Sequence, residues 1–150
     1  MVGGSDSAAK EALLLTEYAS KVYMIYRGDK IRPEPVNYER VMQKVKAGKM
    51  EIIYKTNVKE IKGDKFITHV ILDNPYKGST EFKIGALFIE IGHIPLSELA
   101  IKLGVKTNDK EEIVIDRSSK TNVSGIFAAG DVVDTAFKQA ITGVGEGVSA

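Results

Sequence analysis

Met1-Val2-Gly3-Gly4-Ser5-Asp6-Ser7-Ala8, running directly into the helical stretch 9–19, is the segment whose reading decides the fold. Gly3-x-Ser5-x-x-Ala8 is a variant of the glycine fingerprint that turns a parallel strand into a helix whose N-terminus holds a pyrophosphate. Each place in it needs a small residue for its own reason. The first glycine makes the tight turn, the second position lets the backbone approach the phosphates, and the third lets helix and strand pack closely. The helix then offers free N–H groups and a partial positive charge. Ser5 stands where a second glycine is usual, and its hydroxyl is able to donate to a phosphate oxygen. Only Met1-Val2 stands for the strand that feeds the turn, so the first strand is expected to be truncated.

Working outward, Ala8, Ala12, Leu15 and Ala19 share one helical face over residues 6–19, with alanines suited to close packing on a sheet. Lys21 to Tyr26 reads as a strand ended by Arg27-Gly28-Asp29, which completes a βαβ unit. Pro33 and Pro35 bracket a loop into a second helix, 35–47, where Tyr38, Val41, Met42 and Val45 are spaced for one face and Gly48 suits the end. Met50 to Tyr54 is a third strand. Three short strands follow, 58–61, 66–72 and 80–84, separated by turns at Lys62-Gly63-Asp64 and Asn74-Pro75-Tyr76-Lys77-Gly78; they predict an antiparallel meander. Ala86 to Ile91 is almost wholly apolar, the pattern of a buried parallel strand. Gly92-His93-Ile94-Pro95 marks a domain boundary. Beyond it the expectations are a helix at 97–103, strands at 113–115 and 126–129, and a helix at 139–150. The predicted fold class is α/β, with a Rossmann-like parallel sheet of three or four strands, two flanking helices and the meander on top.

Composition narrows the chemistry. At 150 residues with 43% hydrophobic and 27% charged residues, the chain is an ordinary globular protein able to bury a substantial core. A net charge of +1 gives no reason to expect nucleic acid or an anionic membrane as a partner. No stretch approaches a membrane span and no signal segment is evident, so a cytoplasmic location is expected. With no cysteine, structural disulfides, thiolate metal sites and a dithiol redox centre are all excluded within this chain. His69 and His93 have no ligand-spaced neighbours, and no metal site is expected.

The end of the second strand bears on the choice of dinucleotide. NAD binding usually places an acid there for the ribose hydroxyls, whereas a 2′-phosphate wants arginine. Tyr26-Arg27 occupies that point, with Arg32 five residues later and Asp29 between them. The planar guanidinium fork matches phosphate oxygens. NADPH is therefore the expected cofactor, with NADH left open by Asp29.

Val2 to Ala8, the Tyr26-Arg27-x4-Arg32 loop, Phe88-Ile89-Glu90-Ile91-Gly92-His93-Ile94-Pro95 and Gly125-Ile126-Phe127-Ala128-Ala129-Gly130-Asp131-Val132 stand in an order that resembles the low-molecular-weight thioredoxin reductases, a group of pyridine nucleotide-disulfide oxidoreductases. The resemblance covers essentially the whole chain, and the last motif, continued by Lys138-Gln139-Ala140, is the most specific. It implies that residues 1–92 are an inserted NAD(P)H-binding domain and 93–150 the returning part of an FAD-binding domain. It also implies that the N-terminal FAD half and the Cys-x-x-Cys of the intact enzyme are missing. Gly3, Gly4, Ser5 and Ala8 would shape the pyrophosphate turn, with Asp6 and Ser7 at its helix start and Gly92 at the end of its last strand. Arg27 and Arg32 would meet the 2′-phosphate. The family usually has His-Arg-Arg where this chain has Tyr26-Arg27-Gly28, one arginine fewer. Gly130 and Asp131 would meet the ribityl chain of FAD, and Gln139 and Ala140 the flavin ring; Lys138 stands where arginine is usual.

The intact enzyme, by this resemblance, passes hydride from NADPH to FAD and then to a disulfide, with a thioredoxin-like protein as partner. No catalytic residue is assigned within the chain itself, which alone is expected to be inactive. Two other readings stay open. One is a non-catalytic dinucleotide-binding or assembly module, homo-oligomeric or completed by a second chain. The other is a part of a ferredoxin–NADP reductase-like flavoprotein that never used a dithiol.

Overall fold

The computed structural model describes residues 1–150 as two compact units, Met1–Gly92 and His93–Ala150. In the first unit the elements run α1 (Asp6–Leu15), β1 (Val22–Ile25), α2 (Pro35–Lys46), β2 (Met50–Ile53), β3 (Val58–Gly63), β4 (Ile67–Tyr76) and β5 (Ser79–Lys83). The mixture of parallel and antiparallel sheet with helices is the α/β architecture expected from the sequence.

β1 and β2 pair in parallel from Val22↔Met50 to Ile25↔Ile53. Val2 pairs in parallel with Ile25 on one side and Ile89 on the other. Four parallel lines result, in the spatial order 50–53, 22–25, Val2, Ile89. In chain order this is 3-2-1-4, the arrangement of a dinucleotide-binding sheet, whose switch point lies between the Val2 and Ile89 lines.

Alternation along β1 and β2 sends side chains to two cores. Val22, Met24 and Met50 join Ala8, Ala9 and Ala12 of α1 and Val41 of α2 in one buried cluster. The three alanines are fully buried, which brings α1 as close to the sheet as a helix can come. On the other face, Ile25 and Ile53 meet Val70 and Leu72 of the meander. There Tyr23, Tyr76 and Phe82 form a set of edge-to-face ring contacts with centroids 4.9 to 6.2 Å apart. Glu51 sits beside them. The Tyr76 hydroxyl and Lys21 both donate to its carboxylate, which holds it well below the usual carboxylate range, at about 2.

Several boundaries differ from expectation. α1 ends at Leu15, four residues early, because the Thr16 hydroxyl donates to the Leu13 carbonyl at 2.7 Å and the chain tightens into i→i+3 bonds through Tyr18. β4 runs on through the expected turn at 74–78 to Tyr76. The reversal is made by Lys77 and Gly78 alone, both at positive φ (50° and 88°), as a two-residue hairpin requires. Pro75 is tolerated because pairing is irregular between Ile71 and Tyr76. Residues 86–91 are extended but not buried. Phe88 and Ile89 are 45% and 53% exposed, since neither packs into the clusters on the two faces of the sheet.

The second unit contains α3 (Glu98–Lys102) and α4 (Ala140–Ser149). The strands expected at 113–115 and 126–129 reduce to single pairings, Ile113 with Thr107 and Val133, and Phe127 with Lys120. Val105, Ile113 and Val133 are its buried centre. Side-chain-to-backbone bonds do much of the remaining work. Asn108 Oδ1 accepts from the N–H groups of Lys110 and Glu112, and Asp116 Oδ1 from those of Ser118 and Lys120.

Candidate functional site

Ligands of open α/β sheets bind beyond the carboxyl ends of the strands, at the switch point. A cleft of about 520 Å³ lies there, lined by Gly3, Gly4 and Ser5 after the first line, Tyr26, Arg27 and Arg32 after β1, Thr56 and Asn57 after β2, and Glu90 to Gly92 after the last. That volume is in the range of small-molecule sites. A larger cavity of about 670 Å³ sits where the same strands begin, lined mostly by apolar residues such as Leu15, Val22, Phe82 and Leu87. It is the wrong end for a phosphate ligand.

The turn is built by close approach. Gly3 has φ +141°, and a Cβ on it would stand 2.1 Å from the Glu90 carbonyl oxygen, so only glycine fits between the first and last lines. Ser5 caps α1: its Oγ accepts from the Ala8 N–H at 3.4 Å while its carbonyl accepts from Ala9. The hydroxyl proton stays available to a ligand. The N–H groups of Gly4, Ser5, Asp6 and Ser7 have no acceptor within the protein. Four successive unpaired donors at a helix start form a concave anion site, with the helix dipole adding to it. Ala8 is fully buried against the sheet and closes the turn from behind.

Asp6 stands apart from this row. Lys10 at 2.7 Å, Asn37 at 2.8 Å and the Glu34 N–H at 2.9 Å engage its carboxylate, which is held down to about 2. Its side chain ties α1 to the start of α2 rather than facing the cleft as a ligand group; only its N–H belongs to the anion row.

Tyr26 reaches into the space between Gly4 and Gly28. A Cβ at Gly4 would be 2.5 Å from Cδ2 of the ring, and one at Gly28 would be 2.6 Å from Cε1. The Tyr26 hydroxyl accepts from Arg32 Nη2 at 3.2 Å, and the Arg32 N–H donates to the Gly4 carbonyl at 2.7 Å. Ile31 is buried beside it and anchors the loop. Arg27 is exposed, and no ion pair of the chain involves an arginine. Both guanidinium groups are thus uncommitted to carboxylates. Asp29 is exposed and makes no hydrogen bond.

Sequence reasoning missed three parts of this cleft: the Glu90 carbonyl, the Thr56-Asn57 corner and the wedged ring. The corner was findable, since it follows the third strand. Its geometry is fixed by Asp73, which accepts from the N–H and Nδ2 of Asn57 at 2.7 Å each.

In the second unit, Gly130 has its N–H bound by Glu146 Oε2 at 2.8 Å. Asp131 is exposed and accepts no bond from the protein. Gln139 caps α4 through its carbonyl, and the N–H groups of Ala140 and Ile141 are unpaired. Lys138 is different. Its ammonium pairs with Glu112 at 3.1 Å and donates to the Val133 carbonyl, so it clamps two loop segments and is not free for a ligand. Asp131, Gln139 and Ala140 fit the acceptor and donor needs of a flavin and its ribityl chain; Lys138 does not.

The pyridine nucleotide-disulphide oxidoreductase family profile matches residues 1–147. The thioredoxin reductase of Debaryomyces hansenii is 39% identical over 153 residues, covering 100% of this chain and 46% of that protein. That of Spironucleus barkhanus is 41% identical over 152 residues, covering 100% and 48%. Among solved structures, Lactococcus lactis thioredoxin reductase superposes with a TM-score of 0.82 at 38% identity, over 99% of this chain and 48% of that one. The T. acidophilum thioredoxin reductase gives 0.80 at 30% identity, over 99% and 48%. The chain spans about half the length of the relatives it matches. No helix is long and apolar enough to cross a membrane. The match takes in nearly all of both units, and on that coverage the chain belongs to the pyridine nucleotide-disulphide oxidoreductase family.

Proposed function

We propose that this chain is the NADPH-binding portion of a thioredoxin-reductase-like flavoprotein, cytoplasmic, with Met1–Gly92 holding the dinucleotide and His93–Ala150 contributing Asp131, Gln139 and Ala140 to an FAD site. The observation that carries the reading is the row of four unpaired N–H groups from Gly4 to Ser7, beside a cleft whose two arginines have no carboxylate partner. The row suits a pyrophosphate and the arginines a 2′-phosphate, which favours NADPH over NADH. FAD, when bound, would relay electrons from the nicotinamide to a disulfide. A thioredoxin-like protein is then the partner of the whole enzyme, as the names of the relatives suggest. This chain has no cysteine and offers no dithiol of its own, so its role is to bind and orient the hydride donor.

Calorimetric titration of NADPH into the chain tests this directly. Binding of one NADPH per chain, weakened by added salt, is the expected result. An absence of binding at millimolar NADPH, with the fold intact, overturns it.

One observation favours an assembly role alongside. Ile141, Val144 and Val148 of α4 are 76%, 60% and 84% exposed, an apolar stripe that a second chain would cover. Size exclusion over a hundredfold concentration range should show association; a monomer throughout removes this reading.

A further inference from the structure

Arg32 is held at both of its ends. Its backbone N–H donates to the Gly4 carbonyl at 2.7 Å, and its guanidinium donates from Nη2 to the Tyr26 hydroxyl at 3.2 Å. Arg27, on the same loop, has neither contact. The Tyr26 ring that supports Arg32 lies against a glycine backbone on each flank. A side chain at position 28 would put its Cβ 2.6 Å from Cε1 of the ring, and one at position 4 would meet Cδ2 at 2.5 Å. With the Tyr26 ring in this position, a side chain at 28 would force it to shift.

We propose that Tyr26 is a positioning residue that presents Arg32 to the 2′-phosphate of the dinucleotide, and that Gly28 is the small residue its ring demands. The proposal rests on the dinucleotide reading of this cleft. An arginine whose rotamers are already restricted loses less freedom on meeting its ligand, so the hydroxyl contact raises affinity only for a ligand that carries the phosphate. With the tyrosine ring in this place, an arginine at 28 would displace it, and discrimination falls to one supported and one free guanidinium. Tyr26→Phe removes only the hydroxyl and keeps the ring beside Gly4, so the effect is separable from general cofactor affinity.

The test uses the full 150-residue chain, with NADPH and NADH titrated calorimetrically into wild type, Tyr26→Phe, Gly28→Ala, Arg32→Ala and the Tyr26→Phe/Arg32→Ala double variant. Thermal melts establish that each is folded. Wild type should prefer NADPH at least tenfold. Arg32→Ala should erase most of that preference. Tyr26→Phe, which removes one oxygen, should weaken NADPH about fivefold and NADH by less than twofold. In the Arg32→Ala background the same change should have no further effect, since the residue acts through Arg32. Gly28→Ala, if folded, should reproduce the Tyr26→Phe pattern. A Tyr26→Phe chain with its preference intact, or with both dinucleotides weakened alike, overturns the positioning role while leaving the cleft assignment standing. A wild type that binds neither dinucleotide, or both equally with Arg32→Ala silent, overturns the 2′-phosphate reading itself and the proposal with it.

Discussion

The two units solve the problem of burying polar backbone in different ways. Met1–Gly92 uses sheet ladders, with nine buried residues on the helix side of its sheet and four on the meander side. His93–Ala150 has three buried core residues and only isolated strand pairings. It replaces ladders with bonds from Asn108, Asp116, Thr121 and Asn122 side chains to backbone, the last of them reaching Gly104. Neither of its helices buries a side chain. The difference teaches where rigidity is placed. The glycine turn follows a sheet that is covered on both faces, while Asp131, Gln139 and Ala140 ride on a unit that side-chain hydrogen bonds hold in shape.

The largest effect should come from deleting core volume in each unit. Met24→Ala, at a fully buried site, should cost about 2–5 kcal/mol and leave the first unit folded. Ile113→Ala removes a similar amount from a core of three and should unfold the second unit alone. Hydrogen exchange read unit by unit separates the two cases; joint loss of protection would show that they do not unfold independently.

Gly3→Ala comes next. The strained φ and the clash with the Glu90 carbonyl should destabilise the first unit by about 1–3 kcal/mol and abolish dinucleotide binding. Denaturant unfolding and NADPH titration on the same sample check both. Unchanged binding would mean that the turn is not the phosphate site.

Acid should distinguish the units more gently. In the first, Lys10 and Asn37 hold the Asp6 carboxyl at about 2, and Tyr76 and Lys21 do the same for Glu51. Groups held low in the folded chain contribute fully above the unfolded range near pH 4 and lose that contribution as pH falls toward about 2. In the second, Asn108 and Lys138 lower Glu112, and the Lys120 and Ser118 N–H groups lower Asp116. The second unit has less core to compensate, so its exchange protection should fall first as pH drops below about 4. Simultaneous loss, or earlier loss in the first unit, would contradict the comparison.

The regular part of the fold was open to sequence reading because it is local. Ala8, Ala12, Leu15 and Ala19 announce a helix against a sheet, and the β-branched and aromatic residues of Lys21 to Tyr26 announce a strand. The meander was legible from its turns, though Pro75 misplaced one of them. What failed were segments whose state depends on neighbours. Ala86 to Ile91 has the composition of a buried strand, but burial needs layers over both faces, and Phe88 and Ile89 pack into neither cluster. Ile113 and Phe127 read as strands and make only isolated pairings. In the site, small residues and free arginines were visible as residue types. The commitment of Lys138 to Glu112, of Asp6 to Asn37, and of the Tyr26 ring to Gly4 are contacts across 22 to 31 positions that no local pattern encodes.

In the proposed function the unpaired N–H groups of residues 4–7 receive a dinucleotide pyrophosphate. Amide chemical shifts of the labelled chain, followed during NADPH titration, address it residue by residue. The largest changes should fall on Gly4, Ser5, Asp6 and Ser7, with smaller ones at Arg27, Arg32 and Gly92. Shifts that leave those four amides still, or that gather around Leu15, Phe82 and Leu87 at the opposite end of the strands, would contradict it.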